Sequence, residues 1–418
     1  MRLTLPLVAA LALVACNDRP TVEYEGPYAA DVRRLVPQLE KATGLAFTSP
    51  PKLEERDRDE VREFLERQFA EQITPLELAG TEGAYKRLGM IPDTMDLRAF
   101  MLDLLTEQVA GYYDPATRVL YIVKDNPADI TKITISHELV HALQHMHFPL
   151  DTTRALKGDN DRQVAVQAMV EGQAVYEQMT ISLGGSDMGL ALPGGWESVR
   201  EMIRSAQASM PKFASAPTLL QETLLFPYIA GAEFVRQFKR ARPGAVPYTP
   251  APASTEQILH VEKYLDSLPD LPTRVTLGAP RGAEVVHEDN LGEFETRLFL
   301  YEHLKDVGGA AAAAAGWDGD RYQLVQVGGG SGIVWLTVWD DAVEASEFRD
   351  RMERMVERRF NTPRGSGGEG SARTWNTRGR TLHLEQVELA GRAVVIWEDL
   401  PAGTRAGVLN RAAVRLEQ

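Results

Sequence analysis

Five residues constrain this chain more than any others: His137-Glu138-Leu139-Val140-His141. Histidines four apart project from one face of an α-helix about a turn apart, so the stretch from Ile130 to His147 is expected to be helical with both imidazoles side by side. Such a pair suits two ligands of a single tetrahedral zinc ion. Glu138, one step on, leans toward the same point without having to ligate, and can take the proton of a water as it attacks a carbonyl. Apolar Leu139 and Val140, with Ile133 and Ile135 upstream, let the helix sit in a core, as a rigid metal site requires. The same five residues also read as a buried helix whose histidines are merely satisfied.

A chain of 418 residues suggests two globular units behind a targeting segment. Its formal charge of -14 argues against nucleic acid as a partner, because a polyanion is repelled over most of such a surface. After the N-terminus no apolar run reaches the roughly 18 residues that a membrane helix needs. The N-terminus itself reads as a secretory signal, with Arg2 ahead of the apolar stretch Leu3 to Ala15. The chain's single cysteine, Cys16, follows directly, and Leu13-Val14-Ala15-Cys16 resembles the lipobox of bacterial lipoproteins. That resemblance implies a signal peptide over 1–15, lipidation of Cys16, a polar tether over 16–27 and an exported protein. Its lipid would hold it on the bacterial membrane, facing the periplasm or the cell exterior. No internal disulfide is then available, so stability has to come from the core.

Residues 28–106 carry a helical pattern, with the charged run Leu53 to Gln72 reading as a solvated helix face. From Gly111 the period changes: a turn precedes the β-branched strand candidate Arg118 to Val123, and Asn126-Pro127-Ala128-Asp129 offers helix-start residues. Helices are expected at Ile130 to His147, Asp161 to Ser182 and Trp196 to Ala206, with Gly184-Gly185 and Pro193-Gly194-Gly195 as breaks. Pro-rich connections at Pro243 to Pro252 and Leu268 to Pro272 put a boundary near residue 275, giving units of 107–275 and 276–418. In the second unit a helix is expected around Phe294 to Asp306, then strands Tyr322 to Val327 and Ile333 to Trp339, and a helix Glu344 to Phe360. A flexible Gly-rich loop, Pro363 to Ser371, and strands Thr381 to Leu389 and Ala393 to Trp397 complete it. The expected class is α+β throughout.

His137-Glu138-Leu139-Val140-His141 resembles the active-site helix of the zincin metallopeptidases. That resemblance implies a zincin-like domain, one Zn2+ ion, and metal-assisted hydrolysis of peptide or protein substrates in the cell envelope. It also implies a sheet-edge strand that pairs with extended substrate, for which Arg118 to Val123 is the candidate. Glu171-Gly172-Gln173-Ala174 is similar to the Glu-Gly-x-Ala signature of the gluzincins, which makes Glu171 the third zinc ligand from the next helix. The second carboxylate those enzymes carry four residues later is replaced by Val175, so Glu177 and Asp161 are considered for orienting the imidazoles. His147 competes for the third position, falling where metzincins place their last histidine, although Gln144 stands where those need glycine. His145 reads as a surface residue at the helix end.

Donors for a developing oxyanion are sought at Tyr228 and at His260, since gluzincins use a tyrosine or histidine from this downstream region. Each also reads as structural, a packed aromatic or part of a capping motif from Ser254. From Gly111 to Tyr264 the chain looks like a group of bacterial secreted zinc-dependent peptidases that pair His-Glu-Leu-x-His-Ala-Leu-Gln with Glu-Gly-x-Ala and Ser-Thr-Glu-Gln-x-Leu-His. Gly316-Trp317-Asp318-Gly319-Asp320-Arg321 resembles a motif of their C-terminal halves, and is read here as a stapled turn. Two rival readings share the scaffold: a lipid-anchored binding or assembly protein without turnover, and a hydrolase of non-peptide amides or esters.

Overall fold

The computed structural model describes residues 24, 26–148, 156–184, 195–362, 372–377 and 379–417. The expected signal peptide 1–15, Cys16 and its lipidation, most of the tether, the Gly/Pro breaks within 185–194 and the loop Pro363 to Ser371 lie outside these residues. The fold is mixed α+β. Among the described residues no helix is long and apolar enough to cross a membrane.

The first half runs α1 (Ala29–Thr43), β1 (Lys52–Arg56), α2 (Arg58–Gln72), α3 (Pro75–Leu88), α4 (Leu97–Gln108), β2 (Gly111–Asp114), β3 (Val119–Val123), α5 (Ala128–His147) and α6 (Asn160–Ser182). Strand β1 corrects the helical reading of residues 53–56. It pairs in parallel with β3, setting Leu53 beside Leu120, and the Arg56 guanidinium lies 4.4 Å from the Tyr121 ring. Helix α2 starts only at Arg58, where Asp57 and Glu60 form a reciprocal capping box. The three strands are ordered β1-β3-β2, so β3 is central and buried along its whole length. Arg118 to Val123 therefore has no free edge to offer a substrate; the unpaired edges belong to β1 and β2, each of which pairs only with β3.

Helix α5 packs across this sheet with Ile135, Leu139, Val140 and Ala142 in one core with Leu120, Ile122 and the apolar face of α1. Ile135 is buried as expected, but Ile133 is 42% exposed. Helix α6 lies against α5 on one side and against a long later helix on the other. That region comprises α7 (Gly195–Ala208), α8 (Pro211–Ser215), α9 (Thr218–Ala241), α10 (Thr255–Leu259) and α11 (Val261–Leu265). The crossing of α6 with α9 is very close: a Cβ on Gly172 would lie 2.1 Å from the carbonyl carbon of Gly231, and one on Gly231 would lie 1.9 Å from Ala168 O. Only glycine fits at either point.

The remaining elements are β4 (Arg274–Thr276), β5 (Glu284–Asp289), α12 (Gly292–Leu304), α13 (Val307–Ala314), β6 (Trp317–Val327), β7 (Gly330–Trp339), α14 (Ala342–Phe360), β8 (Ala372–Thr377), β9 (Arg380–Leu389), β10 (Arg392–Pro401) and β11 (Arg415–Glu417). Strands β5-β6-β7-β10-β9-β8 form an antiparallel sheet of that order. Alternation sorts its side chains. Val325, Val334, Leu336, Val338, Val394 and Ile396 share a core with Val275, Leu277 and Leu409, whereas Trp335, Trp339 and Trp397 meet Phe299 and Phe348 from α12 and α14.

The apolar core is continuous across residue 275. Phe226 of α9 stacks on Phe294 of α12 at 3.9 Å between centroids. The Tyr85 hydroxyl of α3 donates to buried Glu295 at 3.0 Å, and α3 is seated on the large sheet, where a Cβ on Gly80 would lie 2.5 Å from His287. Buried Asp320 accepts from the Trp317 and Trp335 indoles and from the N–H groups of Leu291 and Gly292, tying β6 to the start of α12. Arg321 pairs with Glu288 at 2.8 Å, the staple expected of that motif, but Trp317 to Arg321 form the start of β6 and not a turn.

Candidate metal centre

Helix α5 presents His137 and His141 on one face, and α6 presents Glu171 opposite them. The two Nε2 atoms are 3.1 Å apart, and Glu171 Oε2 lies 3.2 Å from His137 Nε2 and 3.3 Å from His141 Nε2. A tetrahedral zinc ion with bonds of about 2.0–2.1 Å needs ligand atoms roughly 3.3 Å from one another. The triangle already has the size of one face of that tetrahedron. Among the described residues, this is the group of histidine, cysteine and acidic side chains whose ligand atoms converge in this way.

The ring orientations suit a metal. His141 Nδ1 donates to Gln144 Oε1 at 2.9 Å and His137 Nδ1 to Gln178 Oε1 at 3.2 Å, which turns both Nε2 atoms inward. Without a cation the charges redistribute among the three. Burial alone would lower the His141 pKa, but the Glu171 carboxylate, Glu138 and the Gln144 amide outweigh it and raise the value to about 9. Burial works to raise the Glu171 pKa, yet His141 and His137 together hold it below the usual carboxylate range. The pocket thus favours a positive charge at its centre.

Glu138 is 6% exposed and accepts the Tyr113 backbone N–H at the free edge of β2. Its pKa is raised, by burial first and by the Glu171 charge, against the pull of His141, His137 and the Tyr113 N–H. Tyr228 also reaches the site: its ring lies 6.0 Å from that of His137 at an interplanar angle of 28°, and its hydroxyl hydrogen-bonds Glu171. The Glu171 charge, burial and the Glu138 charge keep that hydroxyl protonated far above neutrality.

The family model described as "Domain of unknown function (DUF8575)" matches residues 281–408, a stretch that includes the large sheet and contains none of the residues just named. No curated protein matches the chain, and no solved structure matches it.

Several sequence candidates stand apart from the cluster. His147 Nε2 bonds to the Ala46 carbonyl at 2.7 Å at the end of α5. His260, between α10 and α11, is held by Glu293 Oε1 at 3.1 Å and is engaged there instead of with the triad. His145 accepts or donates at 2.8 Å to the Tyr113 hydroxyl. Asp161 receives the N–H and hydroxyl of Thr255, and Glu177 pairs with Lys239, so neither touches an imidazole. Gln144 and Gln178 orient the rings instead. Their signal was present in the sequence: Gln144 follows His141 by three, and Gln178 follows Glu171 by seven, two helical turns on the same face.

Proposed function

We propose that the chain is a zinc-dependent peptidase of the zincin type, with His137, His141 and Glu171 as ligands. What carries this reading is the convergence of two Nε2 atoms and one carboxylate oxygen within 3.1–3.3 Å of each other, beside a buried carboxylate that ligates nothing. When bound, a zinc ion supplies Lewis acidity, polarising a carbonyl and bringing the pKa of water to near 7.

The chain's own residues do the rest. Glu138, with its raised pKa, takes the proton of the attacking water and delivers it to the leaving amine. Tyr228 donates to the developing oxyanion; its elevated pKa keeps the donor proton in place. The open edge of β2 receives an extended substrate strand through the backbone groups of Gly111 and the Tyr113 carbonyl, which face away from β3, the Tyr113 N–H being taken by Glu138. The lipobox-like Leu13-Val14-Ala15-Cys16 supports an exported, membrane-tethered protein acting on envelope polypeptides.

The test compares wild type with Glu138→Gln for bound zinc and for hydrolysis of casein and peptide libraries. Retained zinc with turnover reduced about 10²- to 10⁴-fold is expected. Equal turnover in the two proteins removes Glu138 from the chemistry, and zinc bound without turnover on any peptide favours the binding-protein alternative.

A further inference from the structure

Carboxylates gather where α3, α6, β5, β6 and α12 meet, and they are unequally supplied with donors. Buried Asp320 takes four: the Leu291 and Gly292 N–H groups and the Trp317 and Trp335 indoles. Asp289 accepts the N–H groups of Asn160 and Asn290 at 2.9 Å each, and Arg321 also favours its charge. Asp161, on the other side of Asp320, takes the N–H and hydroxyl of Thr255, and Asp159 takes the Asn290 amide. Glu295 has the poorest supply. Its hydrogen-bond partners are neutral, the Tyr85 hydroxyl and the Asn160 side-chain amide, each at 3.0 Å, and it is 1% exposed. The nearby cation Arg321 is engaged by Glu288 and the Gly158 carbonyl.

Burial and mutual repulsion both favour the neutral form of an acid placed this way. Asn160 Nδ2 serves Oε1, so Oε2, 3.1 Å from the Tyr85 oxygen, is the atom that holds the proton. Glu295 is also the carboxyl that touches three elements at once: α12 carries it, Tyr85 belongs to α3, and Asn160 begins α6. Burial, helped by Asp289 and Asp320, raises its pKa to about 8 against Asn160 and Tyr85, whereas Asp320 reaches only about 6. Burial also lifts Asp161. The remaining neighbours are Tyr322, raised well above 10 by burial, and His287, whose pKa burial lowers, so neither charges as Glu295 titrates.

We propose that Glu295 is a protonation latch: neutral, it holds α3 and the start of α6 to α12, and ionised beside Asp289 and Asp320 it loosens that junction. The fold binds this proton more tightly than the unfolded chain does, so the latch is closed at low pH and opens as pH rises through about 8. It is a property of the metal-free chain. Its reach to Glu171, further along the helix that Asn160 begins, rests on the metal-centre reading.

The test uses the full chain without metal, titrated from about pH 6 to about pH 9.5. Two readouts report on the junction: tryptophan emission, since Trp317 and Trp335 both bond Asp320, and amide exchange at the start of α6. Wild type is expected to show a reversible change in both with a midpoint of about 8. Glu295→Gln, which keeps the shape of the protonated acid, is expected to abolish it. Asp289→Asn keeps an acceptor for both N–H groups but removes a like charge, so it moves the midpoint to lower pH, a shift that a purely structural role would not produce. This variant also decides the matter if Glu295→Gln fails to fold. A flat wild-type titration, a transition that survives in Glu295→Gln, or an unmoved midpoint in Asp289→Asn overturns the latch. A chain that binds no zinc overturns the metal reading and leaves these titrations as they are.

Discussion

Replacing Gly172 by alanine tests how far the site depends on the approach of two helices. The new methyl would lie 2.1 Å from the Gly231 carbonyl carbon, 2.3 Å from its oxygen and 2.6 Å from the Ala232 nitrogen, all backbone atoms that cannot swing aside. Ordinary carbon contacts fall near 3.5 Å, so α6 and α9 must part by on the order of 1 Å. Overpacking of this kind costs about 1–3 kcal/mol. For domains of 150–250 residues that corresponds to a drop in Tm of roughly 2–4 °C per kcal/mol. The functional cost should exceed the thermal one, because Glu171 precedes Gly172 directly and Tyr228 sits on α9 three residues before Gly231. A displacement of about 1 Å in a reacting group lowers rates by about 10²-fold. Thermal melts by circular dichroism and turnover of a fluorogenic peptide measure the two effects side by side. A variant with wild-type Tm and wild-type turnover would refute the close-crossing account of the Glu-Gly pair.

Tyr228→Phe should retain zinc and KM but lose about 10²- to 10³-fold in kcat, the effect of removing one oxyanion donor; a pure KM change argues for packing only. His147→Ala should bind zinc as wild type does, in an equilibrium competition assay, since its ring serves the Ala46 carbonyl. Glu295 predicts a pH trend in stability. Burial and the neighbouring Asp289 and Asp320 charges raise its pKa to about 8 in the fold, against the donors Asn160 and Tyr85. The folded state thus binds the extra proton, and its stabilisation is complete below the unfolded value near 4.5 and is lost as pH rises to about 8. Denaturant titrations of Glu295→Gln should show that decline flattened; an unchanged slope assigns it elsewhere.

The helix of the two histidines was legible because spacing and apolar flanks say the same thing, and α5 begins and ends within two residues of the reading. Glu171 was legible only through a likeness to a signature, and the reason for its glycine became visible with Gly231 opposite. Helix α9 escaped notice because Pro227 interrupts its middle, where proline ordinarily ends a helix. Residues 53–56 look helical by charge pattern, yet pairing with β3 overrides that pattern. The reach of the core across residue 275 depends on pairings such as Phe226 with Phe294, which no local pattern announces. Glutamines as ring-orienting groups went unread because carboxylates were the expectation.

The seating of α3 on the large sheet governs the order in which the polypeptide can mature. Tyr85 finds its carboxylate 210 positions downstream, so this helix emerges long before the surface that covers it exists. Until β5 to β7 have been made, the face of α3 that they cover stays open, and Tyr85 lacks Glu295. A contact so distant along the chain slows folding and leaves an oily surface exposed meanwhile. A cell making this chain would have to shield that early helix until the last third of the polypeptide arrives.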